Sequence, residues 1–220
     1  MATLATLRTK VRRKLDETSA DFWSDNDIDD YLNQAYYYYW NWAIQAQYRQ
    51  CLQSTTLNIT AGTAEVALPS DFIKIRLLEK VASDRTIPLR FNERYEEQNA
   101  TSGVGTSTET VFSYSFVGSN IVLQPTPQVT ETGGLKITYF YQPTELSDDA
   151  DTPDLDDFHD NLLIQYAVVQ AKEKEEAIGN GGTDLAPFVM TLTKLEQSFK
   201  EIIETDSIQR FYAKPFYTYS

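Results

Sequence analysis

Apolar residues near the start of the chain predict a short helix followed by a long one. Four of them recur at the three- and four-residue spacing of a single helix face over residues 3–15: Leu4, Leu7, Val11 and Leu15. Ser24 then precedes three acidic or amide residues, a pattern typical of a helix start, because serine caps the first turn and acids favour the positive end of the helix dipole. The chain contains no glycine or proline between Ser24 and Cys51. This stretch is therefore predicted to form one helix about 40 Å long.

Four consecutive tyrosines, residues 36–39, lie in the middle of this long helix. At about 100° per residue they sweep around most of the helix, so they cannot all face one core. One face carries apolar residues at helical spacing: Ile28, Leu32, Ala35, Tyr39, Trp42 and Ala46. The opposite face carries Tyr37, Trp40 and Ile44. Either the helix lies inside its own domain, or the second face contacts another molecule.

Residues 55–147 have a different pattern, with short runs of β-branched and aromatic residues in partial alternation. Gly118-Ser119 and Gly133-Gly134 indicate tight turns between such runs. The segment is therefore predicted to form a small antiparallel β module.

Helical spacing returns after Pro153 and continues to about Glu204. The glycine-rich run 179–182 separates two predicted helices. The second of these has a long apolar stripe: Leu185, Phe188, Val189, Leu192, Leu195, Phe199, Ile202 and Ile203. Because apolar helix faces need partners, residues 1–54 and 148–206 are predicted to pack together as a helical bundle. The predicted fold class is α+β, a bundle with an inserted β module and an extended C-terminal segment.

The last fourteen residues, 207–220, contain five aromatic residues and no acidic residue after Asp206. Aromatic and arginine side chains anchor interfaces, and a proline lowers the conformational entropy lost on docking. We call residues 207–220 the docking segment and expect it to bind a partner, the alternative being that it folds back on its own bundle. The candidate binding residues are Ile208, Arg210, Phe211, Tyr212, Pro215, Phe216, Tyr217 and Tyr219.

The net charge of −13 is concentrated in residues 147–220, which carry six basic and fifteen acidic residues. Such a chain is poorly suited to bind nucleic acid tightly, because binding requires cations that neutralise phosphates. No run of apolar residues is long enough to span a membrane, so no membrane partner is expected. The single cysteine, Cys51, excludes an internal disulfide.

Seven aspartates between residues 148 and 160 form the sharpest candidate for chemistry. Asp149, Asp151, Asp157 and Asp160 match four positions of a calcium-loop template. The template fails elsewhere, because Asp154 stands where glycine is needed, so a structural role near a helix start is favoured. His159 is the only histidine, and no nucleophile motif lies beside it. We expect no catalytic residues, no metal and no cofactor; a small acidic hydrolase using residues 148–160 is the unfavoured alternative.

Several stretches appear in a recognisable order over about residues 4–205. They are LRTKVRRKLDE, FWSDNDIDDYLNQAY, VALPSDFIKI, NIVLQPTPQ and LKITYFYQPTELSDDADTPDLDDFHDNLLIQYAV, followed by a closing amphipathic helix. Together they resemble the head–tail adaptor proteins of tailed bacteriophages, which form the ring beneath the portal in short-tailed phages.

The resemblance implies a structural virion protein of the neck, between capsid and tail, made in the host bacterial cytoplasm. It implies a ring of copies, typically twelve-fold, on the portal protein, which extends the DNA channel and gives a tail or nozzle protein a platform. Genomic DNA would pass through the lumen without sequence-specific binding. The docking segment would bind the portal, and Tyr37, Trp40 and Ile44 would contact neighbouring copies. Another neck or tail-completion component is the alternative.

Overall fold

A computed structural model describes residues 2–17, 22–83, 85–92, 113–155, 159–178 and 185–212. Within these ranges, side chains are described up to residue 175 in the third helix and up to residue 202 in the fourth. The chain divides into two compact units. The helical unit comprises Met1–Cys51 and Pro143–Ser220, and the β unit comprises Leu52–Gln142. This confirms the predicted α+β class.

The helical unit contains four α-helices in its described part. They are α1 (Leu4–Lys14), α2 (Asp25–Gln45), α3 (Asp160–Ile178) and α4 (Ala186–Tyr212), and a short 3-10 helix (Arg49–Cys51) follows α2. Helix α1 packs against α2 and α3, and α4 packs against α3. The predicted α1 face is confirmed, because Leu4, Leu7 and Val11 are fully buried. None of the helices in the described ranges is long and apolar enough to cross a bilayer.

The start of α2 is fixed by the predicted serine cap. The Ser24 hydroxyl accepts a hydrogen bond from the Asp27 backbone N–H at 3.1 Å, and the Asp27 carboxylate accepts one from the Ser24 N–H at 3.0 Å. This reciprocal pair satisfies two of the backbone donors that a helix start leaves without intrahelical partners. The cap therefore fixes where α2 begins, and with it the helix faces on which tyrosines 36–39 lie.

The β unit consists of two four-stranded sheets. Its strands are β1 (Leu52–Ile59), β2 (Glu65–Ala67), β3 (Phe72–Val81), β4 (Thr86–Pro88), β5 (Arg90–Phe91), β6 (Ser113–Val117), β7 (Asn120–Gln124) and β8 (Glu131–Tyr141). One sheet has the order β1-β8-β3-β4 and the other β2-β7-β6-β5. The pairing is antiparallel, as predicted, except that β5 and β6 run parallel. Side chains of both sheets, including Leu78, Ile121 and Ile137, form the core of this unit.

Of the two tight turns predicted at glycines, the one at Gly118 is confirmed and the one at Gly133-Gly134 is wrong, because both of these glycines lie inside β8. Gly118, in the turn between β6 and β7, has a φ of 59°, a conformation that costs glycine little. At Gly134 in β8, an added Cβ would lie 2.8 Å from the Ile59 side chain. Alanine at Gly134 would therefore push against a buried residue of the neighbouring strand.

The boundary after the β unit lies earlier than the sequence indicated. Residues 143–147, predicted to belong to the β module, fall in the helical unit. The reason is a buried side chain on α2: the Asn33 amide donates to the Leu146 carbonyl and accepts from the Leu146 N–H, both at 2.9 Å. This paired contact acts like one rung of a sheet and holds the segment against α2.

Candidate docking surfaces

The acidic segment 148–160 is organised by backbone contacts with the start of α1. The Leu4 and Ala5 N–H groups donate to the carbonyls of Asp151 and Asp149, at 2.8 and 3.2 Å. The Asp151 carboxylate accepts from the N–H groups of Ser147 and Asp148, both at 2.8 Å. These two hydrogen bonds lower the pKa of Asp151. The segment thus supplies carbonyls that satisfy orphan donors of a helix start.

Arg8 ties this acidic segment to α2. Its guanidinium donates to both carboxylate oxygens of Asp29, at 2.8 and 2.7 Å, and lies 3.0 Å from an Asp149 oxygen. The hydrogen bond with Asp29 is the main reason why the pKa of Arg8 is raised. Two-point contact of this kind fixes orientation as well as charge. Arg8 therefore has a structural role, because carboxylates of its own chain already neutralise its charge.

Within the described ranges, no group of three or more metal-ligating side chains is close enough to hold an ion. Asp149 and Asp151 are engaged as described above, and Asp160 lies 3.4 Å from Lys10. Asp157, the fourth residue of the template, lies outside the described residues. The contacts of Asp149 and Asp151 match the structural role that the sequence favoured for this segment.

His159 is a core residue. It is buried, and its ring meets the ring of Phe199 edge-to-face at 4.6 Å and that of Tyr48 at 6.3 Å. Phe199 also contacts Tyr39 and Trp42 on α2, at 5.8 and 5.4 Å between ring centroids. Edge-to-face aromatic contacts of this kind add to the stabilisation from burial itself. Phe199 thus anchors α4 to α2.

The tyrosine run divides into buried and exposed members. Tyr36 and Tyr39 are buried, and the Tyr36 hydroxyl accepts a hydrogen bond from the Asp154 N–H at 2.9 Å. Tyr37 is half-buried. Tyr38 keeps 51% of its surface exposed and stacks on Tyr166 of α3, with ring centroids 5.8 Å apart. A helix at the centre of its own unit accounts for most of the run, but not for Tyr38.

Two of the predicted inter-subunit residues need correction. Trp40 and Ile44 are only 1% and 6% exposed in the single chain. They offer a neighbouring copy almost no surface, because α2 is covered on both of its apolar sides. The alternative of an internal helix therefore applies to Trp40 and Ile44. A contact with a neighbour stays a prediction for Tyr37 alone.

The predicted docking segment is described only in part. Its first six residues continue α4, which runs to Tyr212. The backbone of Ile208, Arg210, Phe211 and Tyr212 is thus helical, whereas the segment was predicted to be extended. Their side chains, and all of Pro215, Phe216, Tyr217 and Tyr219, lie outside the described residues.

The described side chains of α4 pack through one narrow stripe. Phe199 is buried, whereas Val189 and Met190 are 43% and 60% exposed. The Lys200 ammonium lies 4.5 Å from the centre of the Trp42 ring, a cation–π contact that covers this half-buried tryptophan. The helix rests on α2 and α3 along one side and leaves its other side to solvent.

The architecture, a four-helix unit interrupted by a β unit, is the one that the family resemblance implied. A model of the SU10 adaptor protein family matches residues 2–214. The chain belongs to the SU10 adaptor protein family. The match includes both units and the first part of the docking segment, and it confirms the resemblance to phage head–tail adaptors. A search of curated proteins finds no match.

The sequence did not indicate one surface of this SU10 adaptor, the pair formed by the exposed Tyr38 and the half-buried Tyr166. Their stacking depends on how α2 and α3 pack, which the pattern of either helix alone does not indicate. The sequence offered no signal that singles out Tyr38. Tyr36 likewise falls on neither of the two apolar faces assigned to the long helix, yet Tyr36 is buried and Tyr38 is exposed.

The cap of α2 in this SU10 adaptor yields a prediction about pH. Hydrogen bonds from Lys174 and Ser24 lower the pKa of Asp27 from 3.8 to about 2. A depressed carboxylate pKa stabilises the fold above the unfolded-state pKa, and that stabilisation is lost as pH falls toward 2. Asp27→Asn is therefore expected to reduce the free energy of unfolding by about 1 kcal/mol at pH 7. The difference from wild type should shrink between about pH 4 and pH 2.

Urea unfolding of both proteins across this pH range measures the effect. Asp30→Asn, at an exposed position of the same helix, serves as the control and should change stability by less than about 0.5 kcal/mol. A difference between Asp27→Asn and wild type that stays constant down to pH 2 would contradict the role of the Asp27 carboxylate.

Proposed function

We propose that this protein is a structural head–tail adaptor that assembles as a ring on the portal of its phage. The ring extends the DNA channel and gives a tail or nozzle protein its platform. Membership of the SU10 adaptor family over residues 2–214 is the observation that carries the proposal. The role places the protein in the virion neck and requires no catalytic residue.

The docking segment is proposed to bind the portal. Five aromatic residues, Arg210 and Pro215 give residues 207–220 the composition of an interface anchor. Helix α4 supports this role, because the part of it with described side chains buries only Phe199. A helix held along a single stripe can carry the segment away from the unit to a partner.

The charge of the helical unit suits a protein beside passing DNA. This unit contains 12 basic and 23 acidic residues, a net charge of −11. Like charge keeps phosphates from adhering, which a conduit requires. The purified protein is therefore expected not to retard duplex DNA in a gel at about 0.15 M salt. Retardation at that salt concentration would contradict the proposed lumen.

Imaging tests the proposed assembly. The purified full-length protein is mixed with its portal rings and examined by negative-stain electron microscopy. Portal rings with added density beneath one face are expected. Binding to tail proteins combined with no binding to the portal would instead identify a tail-completion component and contradict the proposal.

A further inference from the structure

Tyr38 and Tyr166 form an aromatic pair at the surface of the helical unit. Their rings are nearly parallel, with an interplanar angle of 26°, and Tyr38 is half exposed. The Tyr39 ring packs edge-to-face against the same Tyr166 ring, with centroids 6.3 Å apart. This contact restricts the orientation of the pair. A rigid tyrosine platform of this kind is typical of interfaces, where aromatic side chains bury much area at a low cost in conformational entropy.

Two carboxylates lie in the neighbourhood of the aromatic pair. Glu196 on α4 accepts a hydrogen bond from the Tyr39 hydroxyl at 3.5 Å. Burial raises the pKa of Tyr166, and the proximity of Tyr38, Glu173 and Glu196 raises it further. Within the described residues, neither glutamate forms an ion pair. Two ring faces beside two carboxylates make a surface that attracts a cationic side chain.

Helix α1 carries cations that could occupy such a surface. Arg8 and Arg12 are committed to carboxylates of their own chain. Arg13 is exposed and has no carboxylate partner among the described residues, and Lys14 donates to the neutral Gln165 amide at 3.0 Å. In a unit with a net charge of −11, these two adjacent cations have no carboxylate partner among the described residues.

We propose that Arg13 and Lys14 of one copy dock on the Tyr38–Tyr166 pair of a second copy, where Glu173 and Glu196 supply the negative charge. The inference rests on the proposed ring and identifies the surfaces that build it. Charge complementarity selects the occupant, because pairing either surface with itself would bring like charges together. The contact uses two different surfaces of each copy, and head-to-tail contacts of this type generate a ring when the rotation between copies closes, as it would on a portal ring.

A charge swap tests the contact in the full-length protein on its portal. Arg13→Glu and Glu173→Arg are each expected to lower the fraction of portals carrying a complete ring by about tenfold or more. The double variant should restore the fraction to within about threefold of wild type. Arg49→Glu makes the same change in charge at an exposed residue outside both surfaces and should leave the rings intact.

The outcomes separate this contact from the proposed function. Complete rings with Arg13→Glu, in a protein whose circular dichroism matches wild type, would overturn the contact and leave the adaptor role standing. Failure of the double variant to recover would also overturn it, and would favour the portal as the occupant of these surfaces. A wild-type protein that forms no ring would overturn the proposed function and the contact together.

Cross-linking provides a second measurement that does not depend on ring stability. Arg13→Cys and Glu173→Cys in one chain should give a ladder of covalent oligomers when portal-bound protein is treated with a short bismaleimide. The native Cys51 is buried, and burial raises the pKa of its thiol to about 12, so it does not compete. Arg49→Cys with Glu173→Cys is the control and should stay monomeric. A ladder of equal intensity in both pairs would contradict the contact.

Discussion

A chain that ends at residue 206 is expected to bind the portal at least about 100-fold more weakly than the full-length protein. The truncation removes five aromatic residues and Arg210, the residue types that carry most of the binding energy at interfaces. The fold should persist, because every core residue in the described part of the helical unit, Phe199 included, precedes residue 206. Surface plasmon resonance on immobilised portal rings gives the affinity, and circular dichroism confirms the helix content.

A finer variant separates the aromatic anchors from the length of α4. Replacing Phe216, Tyr217 and Tyr219 by alanine leaves the helix to Tyr212 unchanged and is expected to account for most of the loss. Lys214→Ala, in the same segment, should weaken portal binding by less than about threefold. Undiminished affinity of the truncated chain would show that the portal is bound by another surface.

Phe199→Ala is expected to have the largest effect on stability, a loss of about 3–5 kcal/mol. The ring of Phe199 is fully enclosed and meets four aromatic rings: those of Tyr39, Trp42, Tyr48 and His159. Alanine would leave a cavity between α4, α2 and the start of α3, because aromatic neighbours collapse poorly around a missing ring. Urea unfolding followed by tryptophan fluorescence measures the change.

Met190→Ala is the matched control on the same helix. Met190 is largely exposed, so its truncation should change the free energy of unfolding by less than about 0.5 kcal/mol. If both variants unfold at the same urea concentration, α4 does not depend on the Phe199 contacts for its position.

Local sequence signals predicted the elements that depend on local physics. The apolar spacing of α1 and the serine cap of α2 act within a few residues, and the structure shows both as expected. The α+β class also followed from the sequence, because helical and alternating patterns occupy separate stretches of the chain. The parallel pairing of β5 and β6 did not, because a two-residue strand carries too short a pattern to indicate its direction.

The candidate surfaces depended on packing and were harder to predict. A helical wheel shows that Trp40 lies opposite the first apolar face, but not that the chain itself covers it. The wheel likewise places Tyr36 and Tyr38 off both apolar faces, without showing that Tyr36 is buried and that Tyr38 stacks on Tyr166. Asn33 looks like a polar interruption of α2, and only the fold reveals that it binds the backbone of Leu146. Asn33 and Tyr38 each contact a residue more than 100 positions away along the chain, and a local sequence pattern does not reveal such a partner.

The number of copies bound to one portal tests the central claim most directly. Native mass spectrometry of the purified portal–adaptor complex gives the mass, and hence the number of 25.1 kDa chains added to the portal. A ring predicts that a complete set of copies binds, as many as the portal has subunits, with few partial complexes because neighbours stabilise one another. A single added copy, or a random distribution of partly filled portals, would contradict the account.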